Sequence, residues 1–278
     1  MIIASKEYVI KRMTELMINP KKKFSQNFLT SYEVVKESVD SLHLESDDVI
    51  IEIGPGLGAL TQELLNRGNQ VYAYDIDLDM VNHLKEVFKG YSNFHLFNQD
   101  FMKTDLSSFE GKKVKVISNV PYNLTTPIIE KIVTSSIDVK VFEFMVQKEV
   151  YDRIKAKKGS KDYAPLNIFI EYVGSLSIVK KVTKDKFIPC PNVDSMVLKI
   201  EFNKERVNKE IEKEFFKVTK ACFAQRRKTI QNNLNQYFNN KDKTKEILSI
   251  ASIEESVRGE QLELKDYLKL SEIILDNK

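Results

Sequence analysis

Four consecutive residues, Asn119-Val120-Pro121-Tyr122, form the stretch of this chain best suited to chemistry on a planar amine. The side-chain oxygen of Asn119 and the backbone carbonyl beside Pro121 can each accept a hydrogen bond from an NH2 group. Pro121 fixes the direction of that carbonyl, because it restricts its own φ and the residue before it. The ring of Tyr122 offers a face for stacking. The segment predicts a site that aims an exocyclic amine at an electrophile.

A glycine-rich loop, Gly54-Pro55-Gly56-Leu57-Gly58, lies upstream, directly after an apolar run and directly before a predicted helix. In such a loop the backbone approaches a ligand closely, and the amides at the helix start point towards it. A dinucleotide fingerprint would need its third glycine one place later, where the chain has Ala59. The spacing favours a methionine-type cofactor, with a simple tight turn as the alternative.

Two acids follow predicted strands at positions suited to a nucleoside. Asp75 ends the second strand, about 20 residues after the glycine loop, where a carboxylate can accept both ribose hydroxyls. Asp77 and Asp79 compete for that role, but only Asp75 continues the apolar strand directly. Asp100 ends the third strand before Phe101 and can accept a hydrogen bond from an adenine amino group; its alternative role is a helix N-cap.

With these segments the chain resembles the KsgA/Erm family of S-adenosylmethionine-dependent rRNA adenine N6-methyltransferases, from about residue 22 to its end. The stretch 222–230, Cys-Phe-Ala-Gln-Arg-Arg-Lys-Thr-Ile, and the length of the helical region after it favour the small-subunit branch. The resemblance implies S-adenosylmethionine as cofactor and dimethylation of two adjacent adenosines near the 3' end of 16S rRNA, during maturation of the small subunit. The chain departs from the family at Asp75, where glutamate is usual, and at Val120, where leucine or isoleucine is usual.

The resemblance also implies roles for individual residues. Asn27 and Leu29 fold over the cofactor, and Asn119 touches it from the other side. Phe187, in the segment Phe187-Ile-Pro-Cys-Pro-Asn-Val-Asp-Ser195, can stack on the opposite face of a flipped base, with loop packing as the alternative. The complete predicted cofactor set is Asn27, Leu29, Gly54, Gly56, Asp75, Asp100, Phe101 and Asn119; the predicted catalytic set is Asn119, Pro121, Tyr122 and Phe187.

Basic residues occur in three clusters, although the net charge is only +3. A single cluster is most simply a solvated face. Three clusters around a site that modifies a nucleotide favour an RNA groove. The predicted RNA contacts are Lys22, Lys23, Arg153, Lys157, Arg226, Arg227 and Lys228.

The order of the elements predicts an α/β fold. Strands alternate with helices up to about residue 146, which indicates a mainly parallel, doubly wound sheet of the seven-stranded methyltransferase type. Residues 168–182 and 195–202 are β-rich and predict an antiparallel strand at one edge. The composition becomes helical after about residue 203, so we expect a methyltransferase domain at 1–203 and a helical, ribosome-docking domain at 204–278.

Other functional classes find little support. Cys190 and Cys222 form no CxxC pair, and the three histidines are scattered, so we expect no metal site. No apolar run approaches membrane-spanning length, and we expect a cytoplasmic monomer. Three alternatives remain: an Erm-type enzyme acting on 23S rRNA, a non-catalytic nucleic-acid binder on the same scaffold, and a DNA adenine methyltransferase.

Overall fold

The computed structural model describes residues 2–16, 27–119 and 124–277. The chain divides into two compact units. The first combines Met1–Tyr151 with Ser175–Phe202, and the second combines Asp152–Gly174 with Asn203–Lys278. The expected division near residue 203 therefore coincides with a boundary between the units, whereas residues 152–174 belong with the helical part of the chain.

Seven strands of the first unit form one sheet, and two short strands form a second. In chain order the strands are β1 (Phe28–Leu29), β2 (Val49–Ile53), β3 (Gln70–Asp75), β4 (Phe94–Asn98), β5 (Val114–Ser118), β6 (Val139–Gln147), β7 (Ser175–Val182), β8 (Phe187–Ile188) and β9 (Ser195–Glu201). The large sheet has the order β4-β3-β2-β5-β6-β9-β7. Strands β2 to β6 pair in parallel, and β9 is antiparallel to both of its neighbours. This confirms the predicted methyltransferase-type sheet.

The helices of the first unit alternate with its strands, as predicted. They are α1 (Lys6–Glu15), α2 (Tyr32–Ser41), α3 (Ala59–Asn66), α4 (Leu78–Val87), α5 (Thr125–Val133) and α6 (Lys148–Ile154), and the last of these crosses into the second unit. Helices α2 and α3 pack on the sheet through a core that includes Val35, Leu42 and Leu64, with Ile50 and Val71 from β2 and β3. This packing covers one face of the central strands β2 and β3.

Two details of the predicted sheet were wrong. The antiparallel strand, β9, lies one position inside the sheet, and β7 forms the edge. The first part of the predicted β-rich segment 168–182 is instead a helix, α7 (Pro165–Val173). Its apolar residues are buried on nearly all sides, so a helix and a buried strand share one sequence pattern here. Pro165 at its start and Gly174 at its end were the available signals.

The second unit is helical. After α7 it contains α8 (Lys209–Cys222), α9 (Ile230–Phe238), α10 (Lys241–Ala251) and α11 (Leu264–Asp276). Phe169 of α7 packs edge-on against Phe216 of α8, with ring centroids 4.9 Å apart. The buried hydroxyl of Tyr267 on α11 donates to the carbonyl of Gly259 at 2.7 Å. Aromatic packing of this kind gives the unit a core of its own.

Candidate active site

The predicted cofactor residues come together at the carboxyl edge of the large sheet. Strand β2 lies between β3 and β5, and the last residue of β2, Ile53, is paired with residues at the ends of both. Gly54 follows β2, Asp75 ends β3, and Asn119 follows β5. In open α/β sheets this edge is where ligands bind.

The glycine loop requires its glycines. Gly54, Gly56 and Gly58 have φ values of 69°, 57° and 92°, in the left-handed region. A Cβ on Gly58 would lie 2.8 Å from the ring of Phe88 and 2.9 Å from Leu84, so this position is also closed by packing against α4. The loop is a tight turn, in which the N–H groups of Gly54, Gly56 and Gly58 donate to Tyr74, Asp75 and Pro55, respectively.

Asp75 is held by the loop that it faces. Its Oδ2 accepts from the backbone N–H of Gly56 at 3.2 Å, and its Oδ1 accepts from the N–H of Asp77 at 2.8 Å. Burial raises the pKa of the Asp75 carboxyl to about 6, against these two hydrogen bonds. Each carboxylate oxygen keeps a further lone pair for a ligand. Asp77 has a different task, because its side chain caps α4 by accepting from the N–H of Asp79.

Large apolar side chains are exposed beside Asp75. Ile76 is 53% exposed, Leu78 is 55% exposed and Phe97 is 38% exposed. The ring of Phe97 stacks on the ring of Tyr74, with the ring centroids 5.0 Å apart. These exposed apolar side chains lie near the end of a strand that carries a fixed carboxylate. They can pack against the flat, apolar faces of a nucleobase. Neither Ile76 nor Phe97 was predicted from the sequence; the available signal for Ile76 was an apolar residue directly after the strand-end acid.

Asp100 performs the capping role that was its alternative. Its Oδ1 accepts from the N–H of Met102 at 2.9 Å, at the start of the 3-10 turn Phe101–Lys103. Its second oxygen has no hydrogen bond among the residues that the structure describes. The cap therefore fixes the carboxylate while leaving one oxygen for a ligand. Phe101 is buried directly after it.

The segments predicted to cover the cofactor and the target base are joined by the small sheet. Strands β1 and β8 pair antiparallel, with Phe28 opposite Ile188 and Leu29 opposite Phe187. Leu29 is 3% exposed and Phe187 2%, and both belong to the main core. The ring of Phe187 thus offers no open face for a base, and its burial supports the packing alternative over the predicted stacking role. Asn27 is half-buried just before β1.

A separate apolar cluster connects this small sheet to the glycine loop. Val9 of α1, Phe28 of β1, Leu57 of the loop and Met80 of α4 pack together, with Ile188 against them. The ring of Phe28 lies 3.5 Å from the position of a Cβ on Gly56. The first helix therefore supports the glycine loop, a link that the sequence analysis did not identify.

Several predicted residues lie outside the described part of the chain. These are Lys22, Lys23, Pro121 and Tyr122. Asn119, directly before the second of these gaps, is half-buried. The hydroxyl of its neighbour Ser118 donates to the carbonyl of Ile53 at 2.7 Å, which ties the end of β5 to the start of the glycine loop.

The described basic residues of the predicted RNA surface all belong to the second unit. Arg153 and Lys157 are exposed near the end of α6 and just after it. Arg226, Arg227 and Lys228 are exposed in the turn between α8 and α9, not on a helix. Both clusters can therefore contact a polyanion.

Among the described residues, Glu45, Asp47 and Asp48 form one group whose carboxylates lie close enough together to bind a metal ion. Lysines already pair with it: Lys113 lies 3.1 Å from Asp47, and Lys115 lies 2.6 Å from Asp48. Within the same ranges, no helix is long and apolar enough to span a membrane.

The family model for ribosomal RNA adenine dimethylase matches residues 17–276. The chain belongs to the ribosomal RNA adenine dimethylase family. This confirms the family resemblance that the glycine loop and the Asn119 segment indicated.

Relatives within this family are similar over nearly their whole length. Ribosomal RNA small subunit methyltransferase A of Clostridium botulinum (strain Kyoto / Type A2) is 37% identical over 258 residues, which cover 92% of this chain and 94% of that protein. The protein of the same name from Enterococcus faecalis is 39% identical over 269 residues, covering 93% and 91%.

Solved structures of the family agree with the fold. A dimethyladenosine transferase from Plasmodium falciparum has a TM-score of 0.69 and 26% identity, over 87% of this chain and 95% of that one. The 23S rRNA methyltransferase ErmE has a TM-score of 0.62 and 23% identity, over 89% and 99%. The latter likeness concerns the fold alone.

Proposed function

We propose that this dimethylase-family protein transfers methyl groups from S-adenosylmethionine to the N6 amines of adenosines in small-subunit rRNA. The observation that carries the proposal is the convergence of the glycine loop, Asp75, Asp100 and Asn119 at one edge of the sheet. The small-subunit branch is supported by relatives named ribosomal RNA small subunit methyltransferase A, with 37–39% identity over more than nine-tenths of the chain. As that branch implies, we propose two adjacent adenosines near the 3' end of 16S rRNA as targets.

The residues at this edge fit an adenosine-containing cofactor. Asp75 can accept the two ribose hydroxyls. The second oxygen of Asp100, which makes no hydrogen bond to another described residue, can accept one from the adenine 6-amino group. Ile76 and Phe97 provide apolar surface for the adenine ring. The glycine loop, which has no bulky side chain at Gly54, Gly56 or Gly58, lets the backbone approach the rest of the cofactor. Bound there, S-adenosylmethionine would supply a methyl group on a positively charged sulfur, which is a good leaving group.

Asn119 orients the target amine. Its side-chain oxygen accepts a hydrogen bond from N6, and the carbonyl beside Pro121 accepts the second, so the nitrogen lone pair points at the methyl carbon. In the transfer a bond would form between N6 and the methyl carbon as the bond from that carbon to sulfur breaks, and N6 would then release its extra proton to solvent. Positioning accounts for most of such a reaction, because no strong base is needed. Stacking on Tyr122 remains part of the proposal; Phe187 supports the site by packing.

The second unit is proposed to dock on the rRNA. Its exposed Arg226, Arg227 and Lys228 can contact phosphates, which supply affinity without reading the sequence. The proposed partner is 16S rRNA in the small ribosomal subunit or its precursor, and the protein acts as a monomer in the cytoplasm.

The decisive experiment is methyl transfer to separated ribosomal particles. The protein is incubated with methyl-labelled S-adenosylmethionine and either small or large subunits that lack adenine dimethylation, and the labelled nucleosides are mapped. We expect N6,N6-dimethyladenosine in 16S rRNA only. Label in 23S rRNA would support the Erm-type alternative, and binding without any label would support the non-catalytic alternative.

A further inference from the structure

Lys131, in the last turn of α5, connects this helix to the turn that follows Asp100. The helix begins at Thr125, shortly after the Asn119 segment. The Lys131 ammonium donates to the carbonyls of Met102 at 3.0 Å and Thr104 at 2.7 Å. Both carbonyls belong to the turn that follows Asp100. The sequence analysis assigned Lys131 no role.

The turn is therefore fixed at both ends. At its start, Asp100 accepts from the N–H of Met102, and at its end the ammonium of Lys131 binds the carbonyls that the short turn leaves unpaired. The ammonium also lies 5.4 Å from the centroid of the Phe101 ring, within cation–π distance. Two kinds of contact, hydrogen bonds to carbonyls and a cation–π contact, thus hold one short turn to α5.

The charges around Lys131 agree with this arrangement. Partial burial lowers the pKa of Lys131, and the carboxylates of Asp100 and Asp105 act against that shift. Asp105 itself is engaged by Ser107, whose N–H and hydroxyl both donate to it. The Asp100 carboxylate therefore attracts the ammonium without binding it directly, and the second Asp100 oxygen stays available for a ligand.

We propose that Lys131 is a positioning residue that holds Asp100 in the orientation needed to recognise the 6-amino group of the cofactor's adenine. This inference rests on the proposed function, because it assumes the cofactor site described above. Without the lysine the turn keeps its cap but loses its link to α5, so the turn and the Asp100 carboxylate that caps it are held less firmly in the site. Loss of the lysine is expected to weaken recognition of the adenine, but not to slow methyl transfer once the cofactor is bound.

The test compares the cofactor product with an analogue that lacks the adenine amino group and carries a hydrogen on N1. S-adenosylhomocysteine carries the amino group, and S-inosylhomocysteine has an oxygen there, which faces the Asp100 carboxylate unfavourably. Calorimetry should show that the parent protein prefers the adenosyl compound strongly. In Lys131→Met we expect about tenfold weaker binding of S-adenosylhomocysteine, the order expected for lost hydrogen bonds to a charged group. Binding of the inosyl compound should change little, so the preference shrinks.

Two further variants separate positioning from other effects. Lys131→Arg keeps the charge and the donors, and should retain most of the preference. Lys103→Met removes an exposed charge from the same turn, where no carbonyl contact is present, and should behave like the parent. Thermal unfolding of each variant establishes that it is folded.

Two results would overturn the inference: a Lys131→Met protein with the parent's preference, or one that loses both compounds in equal proportion. The proposed function is judged separately, by the parent alone. A parent that binds neither compound removes the cofactor site itself, and the inference with it.

Discussion

Asn119 is the residue on which the proposed chemistry depends most. In Asn119→Ala, one of the two acceptors for the target amine is lost, and we expect turnover to fall ~10²–10³-fold, the usual cost of one such contact. Cofactor affinity should change much less. Single-turnover methylation of small subunits, together with calorimetry for S-adenosylhomocysteine, measures both quantities. Asn66→Ala, at the end of α3, is the matched control; near-normal turnover in Asn119→Ala would reject the assigned role.

Asp75 makes cofactor binding depend on pH. Because burial raises the pKa of its carboxyl to about 6, the ionised form that accepts ribose hydroxyls most strongly is lost as the pH falls through that value. We expect the parent's affinity for S-adenosylhomocysteine to decline between pH 7.5 and 5. Asp75→Asn should bind weakly across that range, without the same slope.

The raised pKa of Asp75 affects the stability of the fold in the opposite direction from its effect on cofactor binding. A carboxyl whose pKa is raised on folding stabilises the folded protein below its normal pKa, and this contribution disappears as the pH rises through about 6. Weaker binding at pH 5 is therefore not explained by unfolding through Asp75. Asp77→Asn, which keeps the cap of α4, is the control; if it alone weakened binding, the ribose contact would move to Asp77.

At the scale of elements, the glycine loop is a rigid link between β2 and α3. Gly58→Ala combines a left-handed backbone with a clash against Phe88 and Leu84, so we expect a loss of ~2–4 kcal/mol in the free energy of unfolding. Gly68→Ala has the same kind of backbone, with φ at 87°, but nothing within 4 Å of its Cβ. It should cost about 1 kcal/mol. Urea unfolding measures the difference, and equal losses would show that packing behind Gly58 is unimportant.

Elements with a clear period or a clear boundary were predictable from the sequence. Strands β2, β4 and β5 are short apolar segments between turn signals, and helix α3 lies between the glycine loop and Gly68, so the sequence indicates each of them. Helix α7 was not predicted, because it is buried on nearly all sides and carries many β-branched and aromatic residues. The position of β9 inside the sheet is a matter of long-range pairing, which local periodicity does not contain.

The same limit applies to the site. The sequence identified the residues that follow strands, since parallel strands bring their carboxyl ends to one edge. It did not distinguish a stacking Phe187 from a buried one, because that depends on the pairing of β8 with β1. Lys131 carried no local signal either: its partners are carbonyl groups, which every residue possesses.

The basic turn of the second unit is expected to determine how firmly the whole protein binds small ribosomal subunits. Replacing Arg226, Arg227 and Lys228 with glutamine should weaken binding to small subunits and make its salt dependence shallower, because fewer counterions are released. Cofactor affinity should not change. Filter binding at several salt concentrations measures the slope.

A second triple variant serves as the control for the loss of positive charge alone. Lys209, Lys213 and Lys217 are exposed on α8, and replacing them with glutamine removes the same charge. Equal slopes for the Arg226 triple variant and the parent would reject the docking role. Equal loss in both triple variants would indicate a general electrostatic attraction instead of a defined surface.

The pairing of β1 with β8 has a consequence for how the protein is made. Thr30, just after β1, donates to the carbonyl of Lys186, 156 residues further along the chain. A contact between such distant positions forms late, because a long loop must be closed first. On the ribosome that synthesises it, the nascent chain cannot secure the segment after Asn27 until β8 has emerged from the exit tunnel. The edge of β6 also stays open until β9 arrives, and an open apolar strand attracts other chains. A growing chain is most exposed to aggregation in the interval before β8 and β9 have both emerged. A messenger truncated before codon 187 would yield a protein that lacks both β8 and β9.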